Sequence, residues 1–355
     1  MIRLLIVDDS ALMRKLLTGL FTGQSGFEVH TARDGEEALA LARSLRPDVV
    51  TLDVNMPRMD GLACLDRLMV EAPCPVVMVS ALTARGADVT LEAMRLGAVD
   101  FVTKPGGAVS LEMDQFGPLI VAKVRAAAGA RPRRSLRLSE VVRHRVGAGS
   151  PVARSTRLQE GWGPVAEGLV LVGTSTGGPP ALENLLTRLP AGFAWPLLVA
   201  QHMPATFTGA LARRLNGLCE IEVVEVDRPM PLRPGRAYIG RGDADLLVAR
   251  RGSELAAVVA PASDRYLWHP SVDRLVESAM EHMPPRRLIG VLMTGMGRDG
   301  AEAMTRLRGQ GGRTIAESEA TAVIWGMPGE LVRAGGADIV APLDEIPLNL
   351  CRMVP

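Results

Sequence analysis

Across residues 1–125 the chain alternates short apolar runs with amphipathic stretches, five times in succession. LLIV (4–7), EVHTA (28–32), DVVTLDV (48–54), PVVMVSA (75–81) and DFVTK (100–104) read as strands. Between them, residues 11–22 carry Leu12, Leu16, Leu17, Leu20 and Phe21 at helical spacing, and 35–45, 61–70, 85–96 and 115–127 are also helical. Strands that are apolar throughout must be covered on both faces. Five such β-α repeats therefore predict a parallel, doubly wound α/β sheet.

The strand ends of this region carry the chemistry. Asp8-Asp9 follow the first strand, Asp53 ends the third, Ser80 the fourth and Lys104 the fifth. In an open parallel sheet such ends converge on one crevice. An acidic pair after a strand is commonly a solvated turn, but all five positions together argue for a site. Clustered carboxylates repel and need a cation, and oxygen-only donors suit Mg²⁺. Lys104 adds fixed positive charge, and the Ser80 hydroxyl can donate to a phosphoryl oxygen. The set fits a carboxylate nucleophile that accepts phosphate.

A chain of 355 residues predicts two domains. The break falls at 126–166, where Gly, Pro and Ser interrupt the periodicity. Between Gly129 and Arg157 eight arginines face a single acid, Glu140. This stretch reads as a solvated interdomain linker, with one short helix near 136–145. Aromatic residues are only 3% of the chain, so the cores are built from Leu, Val, Ala and Met. A net charge of +1 offers nothing to nucleic acid. Cys64, Cys74, Cys219 and Cys351 form no CxxC or metal-like spacing, which points to a reducing cytoplasm. The N-terminus reads as a strand rather than a signal peptide, and no apolar run approaches the ~20 residues of a membrane span. A soluble monomer is expected.

A second α/β pattern occupies 167–355. Strands are predicted at 169–173, 196–201, 220–226, 236–240, 245–250, 254–259, 288–294 and 313–318. Helices are predicted at 179–188, 206–216, 272–282, 299–309 and 328–334. GTSTG (173–177) stands between a strand and a helix and matches G-x-S-x-G, which exposes Ser175 beside backbone N–H groups. His202 in QHMPATFT and Asp299 in TGMGRDG also follow strands. Ser175 can attack a carbonyl, His202 can take its proton, and Asp299 can orient the imidazole. The order Ser…His…Asp differs from the Ser…Asp…His of α/β-hydrolases, so a different fold is expected. Other histidines compete less well. His269 reads as a loop residue, His282 as a helix-surface residue, and His30 and His144 lie in the first domain and the linker. Asp273 reads as a first-turn helix acid and Asp264 as a loop residue. One rival motif stands in the same segment: residues 295–300 match GxGxxG, and Glu317 and Glu319 follow at dinucleotide-site spacing. That reading leaves GTSTGG and QHMP unexplained.

Residues 1–125, with DVNMPRMDG (53–61) at their centre, resemble a two-component receiver domain of the flavodoxin-like fold. The resemblance implies that Asp53 is phosphorylated and that Asp8, Asp9, Asp53 and the Asn55 carbonyl hold Mg²⁺. It also implies Ser80 as a hydroxyl switch, Phe101 as the aromatic switch position and a cis peptide at Lys104-Pro105. Asn55 stands where a carboxylate is frequent. GTSTGG, QHMPATFT, HPSVD, TGMGRDGA and GMPG, in that order, resemble the catalytic domain of chemotaxis protein-glutamate methylesterases. This implies a Ser175–His202–Asp299 triad, with Thr176 and Met296 near the oxyanion and no cofactor for the esterase. Thr174 departs from the usual Ala, and Trp268-His269 from a frequent His-Arg pair. The implied activity is hydrolysis of glutamyl methyl esters on chemoreceptor cytoplasmic domains, with deamidation of receptor glutamines. A histidine kinase would supply the phosphoryl group that releases the enzyme from its receiver. The alternatives are a non-catalytic partner-binding output domain and a dinucleotide enzyme using 295–300.

Overall fold

The computed structural model describes residues 1–80, 83–105, 109–130, 166–252 and 254–354. The proposed linker helix near 136–145 lies outside the described residues. The chain divides into two compact units, Met1–Leu138 and Ser139–Pro355.

The first unit runs β1 (Ile2–Val7), α1 (Ala11–Thr22), β2 (Phe27–Ala32), α2 (Gly35–Leu45), β3 (Val49–Asp53), α3 (Gly61–Glu71), β4 (Val76–Ser80), α4 (Ala84–Leu96), β5 (Asp100–Thr103) and α5 (Val109–Ala128). Its five-stranded sheet has the order β2-β1-β3-β4-β5, and every neighbouring pair is parallel. Every residue of β3 and β4 is buried, as continuous apolar runs require. Four helices start on side chains that accept from their own first turn: Ser10, Asp34, Asp60 and Thr83. The order in which strands are added across the sheet reverses between β1 and β3, which opens a crevice at their carboxyl ends.

The second unit runs β6 (Leu169–Thr174), α6 (Gly178–Leu186), β7 (Leu197–Gln201), α7 (Ala205–Leu218), β8 (Glu222–Val226), β9 (Met230–Pro231), β10 (Arg236–Gly240), β11 (Ala244–Arg251) and β12 (Glu254–Pro261). It continues with α8 (Val272–His282), β13 (Leu288–Leu292), α9 (Ala301–Gly309), β14 (Arg313–Glu317), α10 (Met327–Arg333), β15 (Ile339–Ala341) and α11 (Ile346–Met353). A seven-stranded sheet has the order β15-β14-β13-β6-β7-β10-β8, all parallel. β6 lies between β13 and β7, so Ser175, His202 and Asp299 follow three adjacent strands. The runs at 245–250 and 254–259 pair antiparallel, in a separate three-stranded sheet β11-β12-β9. Two residues join β11 to β12, and a parallel crossover needs a dozen or more. That small sheet shares one core with α8 and the main sheet, through Leu246, Val248, Ala257, Leu275, Val276 and Leu292. β9, β15 and α11 lack enough apolar periodicity to be read from the sequence. Among the described residues no helix is long and apolar enough to cross a membrane.

Candidate active site and acidic pocket

In the first unit Asp8 and Asp53 are almost fully buried, while Asp9 is exposed. One carboxylate oxygen from each of the three lies within 4.8 Å of the others. Lys104 Nζ stands 2.7 Å from Asp53 Oδ2 and 2.9 Å from Asp8 Oδ2. The backbone N–H of Ser10 donates to Asp8 Oδ1 at 2.9 Å, and that of Asn55 to Asp53 Oδ1 at 3.3 Å. Asp8 Oδ2 is buried with the lysine charge beside it but no aligned hydrogen bond. Burial pushes the Asp53 carboxyl up, and the Asp8 charge adds to this against the pull of Lys104. Burial opposes the Lys104 charge, but its two carboxylates outweigh that and raise its pKa. Three acids against one ammonium, all donating oxygen, suit a hard divalent cation. Ser80 is buried at the end of β4, and its carbonyl accepts from Lys104 N at 2.7 Å. Phe101 is buried in β5, with Lys123 Nζ 5.3 Å above its ring. Among the described residues the cis peptide is His269–Pro270, not the expected Lys104–Pro105. The lysine side chain spans to both acids without one.

In the second unit the turn after β6 is held on every side. Ser175 N donates to Thr294 O at 3.0 Å, and Ser175 O accepts from Gly178 N at 2.8 Å. Gly177 has φ 76°, which a side chain would strain. A Cβ at Gly178 would lie 1.8 Å from Gln201 Oε1, so the glycine makes room for that side chain. Gln201 Nε2 donates to the carbonyls of both Ser175 and His202, at 3.0 Å each, and ties the two loops together. Thr174 Oγ1, the departure noted above, donates to Gln201 Oε1 at 2.6 Å. Gly295 brings the next loop in: a Cβ there would lie 2.8 Å from Ser175 Cβ. Met296 follows it, half-buried. Thr176 is buried, and its carbonyl accepts from Thr294 Oγ1 at 2.9 Å.

The His202 ring is buried, with Nε2 2.8 Å from Asp299 Oδ2. Asp299 Oδ2 also accepts from Val272 N at 2.7 Å, and Oδ1 accepts from Ser271 Oγ and Asp273 N, both at 3.0 Å. Three of these donors form the start of α8, where the helix dipole favours an anion. Burial works against the Asp299 charge, but His202 and the α8 N–H groups outweigh it and hold the carboxyl low. An ionised carboxylate only accepts, so Nε2 carries a hydrogen. Nδ1 is buried without a hydrogen-bond partner. The ring is turned opposite to the common triad template, in which the acid bonds Nδ1.

A parallel sheet with Ser, His and Asp after adjacent strands is matched by known sequences. The family profile described as CheB methylesterase matches residues 170–350, and the response regulator receiver domain profile matches 4–113. The chain belongs to the CheB methylesterase family and carries a receiver domain. It is 60% identical to "Protein-glutamate methylesterase/protein-glutamine glutaminase 2" of Rhodopseudomonas palustris (strain BisB18), over 98% of this chain and 96% of that protein. Identity is 54% to the protein of that name numbered 3 in Rhodospirillum rubrum, over 98% and 94%. The crystal structure of the Thermotoga maritima CheB methylesterase catalytic domain superposes with a TM-score of 0.52 at 35% identity. It covers 54% of this chain and 100% of that one.

In this CheB methylesterase the dinucleotide reading of 295–300 fails on two observations. Asp273 Oδ1 already accepts from Ala303 N, 2.9 Å away in the first turn of α9. Burial and the Asp299 charge push that Asp273 carboxyl up. Glu317 is fully buried and accepts from Thr294 N at 2.8 Å and Thr321 Oγ1 at 3.0 Å, so it braces the loop rather than facing a ribose. His269 is likewise engaged: its Nδ1 lies 2.9 Å from Asp245 Oδ1. Sequence reasoning marks Ser271 as a helix N-cap, which it is, but misses its contact with Asp299, the roles of Gln201 and Asp245, and the placement of Trp268, whose ring stacks on His202 at 5.5 Å and 13°. QHMP and HPSVD marked the right segments, but nothing local assigned those side chains a partner.

Proposed function

We propose that the chain is a phosphorylation-activated protein-glutamate methylesterase. It hydrolyses γ-methyl glutamyl esters on chemoreceptor cytoplasmic domains, releases methanol, and deamidates receptor glutamines. The observation that carries this is the setting of His202: Nε2 is committed to a stabilised carboxylate, and Nδ1 is buried with no hydrogen-bond partner. In the first step Ser175 Oγ bonds the ester carbonyl carbon while its proton passes to Nδ1. Asp299 stabilises the resulting imidazolium. The Met296 backbone N–H and Thr176 serve the oxyanion. Collapse expels methanol, which takes the proton from Nδ1. Water then attacks the acyl-serine, again giving its proton to Nδ1, which passes it to Ser175 Oγ as that bond breaks and glutamate leaves. With a glutamine substrate the leaving group is ammonia.

In the receiver, Asp53 is the acceptor of a phosphoryl group from a histidine kinase. Asp8, Asp9, Asp53 and the Asn55 carbonyl would hold Mg²⁺, which when bound offsets the surplus negative charge facing the incoming phosphate. Lys104 and Ser80 contact the phosphoryl oxygens, and Phe101 belongs to the responding surface. The receiver comprises 1–125, the linker 126–166 and the catalytic domain 167–355, and the protein works in the cytoplasm. The test is methanol release from methyl-labelled receptor, with and without a small phosphodonor. Release that persists in Ser175→Ala would refute the triad. Equal rates with and without the phosphodonor, or stimulation that persists in Asp53→Asn, would refute the control.

A further inference from the structure

Trp268 lies against the ring of the candidate base. The indole lies parallel to the His202 imidazole, with ring centroids 5.5 Å apart and planes at 13°. The loop that carries it is tied at both ends to one buried acid. Asp245, with a side chain fully shielded from solvent, accepts from His269 Nδ1 at 2.9 Å and from Ser271 N at 2.8 Å, just past Trp268. It also pairs with Arg274, whose Nη1 donates to Pro261 O at 2.8 Å, just before the loop. The loop between Pro261 and Ser271 therefore has fixed ends, although its middle is exposed, with Leu267 84% accessible.

We infer that Trp268 is a positioning residue for His202, whose indole face holds the imidazole in plane and stabilises the charge it takes up. This rests on the reading of His202 as the base. The edge of the ring is already fixed at one point, Nε2 on Asp299. One hydrogen bond leaves the ring free to tilt about that contact, and a flat neighbour removes the tilt. Cations are attracted to aromatic faces, most strongly to that of Trp. The imidazole is neutral before attack and cationic after proton transfer, so the attraction acts in the transition state more than in the ground state. Losing it should lower kcat and leave KM unchanged.

The test uses the full chain with a phosphodonor and phenylmethanesulfonyl fluoride as probe. Ser175 Oγ bonds sulfur, fluoride leaves, and the proton passes to His202 Nδ1, so the rate reports the base. Trp268→Leu and Trp268→Met should modify about tenfold more slowly than wild type, and Trp268→Phe should recover most of the rate. With methylated receptor the same variants should lose kcat by a similar factor at constant KM. Aliphatic variants as fast as wild type would overturn the inference. A Phe variant as slow as Leu would overturn it too, because it would make the residue a packing element only. A rise in KM at constant kcat would also overturn it, by moving the residue to substrate binding. If wild type is not modified at Ser175, the base assignment fails first and takes this inference with it.

Discussion

Asp53 ends a parallel strand and Asp299 stands in the loop after one, both with side chains largely shielded from solvent, yet their carboxyl groups shift in opposite directions. The difference lies in the donors. Asp299 receives two backbone N–H groups at a helix start, one hydroxyl and one imidazole N–H. Asp53 receives one backbone N–H at 3.3 Å and a lysine that it shares with Asp8. Burial alone therefore does not set the charge state of a buried acid; the number of aligned donors does. The second site is completed by its own chain. The first keeps surplus negative charge against one ammonium, an arrangement that suits a divalent cation.

The contrast predicts effects of graded size. Asp299→Asn should lower kcat for methanol release by about 10³–10⁴-fold, because an amide cannot hold the imidazolium as the carboxylate does. Asp53→Asn should leave the unstimulated rate in place and abolish stimulation by a phosphodonor. Stability should move in opposite senses in the same two variants. Loss of the Asp299 charge leaves the start of α8 without its anion and should destabilise the second unit by about 1–3 kcal/mol. Asp53→Asn removes a buried, repelled charge and should stabilise the first unit by about 1 kcal/mol at neutral pH. Peptide-resolved hydrogen exchange on the full chain reads both. Equal signs would show that the two pockets are not electrostatic opposites.

Mg²⁺ should protect the first unit alone, by about 2.7 kcal/mol at a hundredfold excess over its dissociation constant, and Asp8→Asn should remove most of that. The smallest effect is on pH dependence. The Asp299 carboxyl is lower in the folded chain than the ordinary 3.8, so its contribution is complete above that value and is lost as pH falls through the folded pKa. The Asp53 carboxyl is raised, so ionisation works against folding: stability falls as pH rises from 3.8 through the folded pKa, then levels off. On acidification from neutral pH, exchange in the β3 region should slow slightly before exchange around α8 quickens.

The first unit was the more legible of the two. Its strands are buried on both faces, so each appears as a short apolar run, and each end carries a residue whose chemistry is conspicuous. The helix boundary at Gly35–Leu45 matches the periodicity, whereas α5 begins at Val109, six residues before the periodicity marks it. In the second unit, the candidate Ser, His and Asp were visible because each follows a strand. Their supporting contacts were not: Ser271 and Asp299 are 28 residues apart, Gln201 and Ser175 26.

Apolar period, turn residues and strand ends are properties of neighbours along the chain, and from them follow the α/β class, the two-part organisation and the candidate site side chains. The sheet order around β6, the hairpin of β11 and β12, the exchange of nitrogen roles in His202 and the stacking of Trp268 come from packing between distant segments. The charge on Asp299 belongs with the latter. It depends on the start of α8 meeting a loop that follows β13, and that meeting exists only once the core between them has closed.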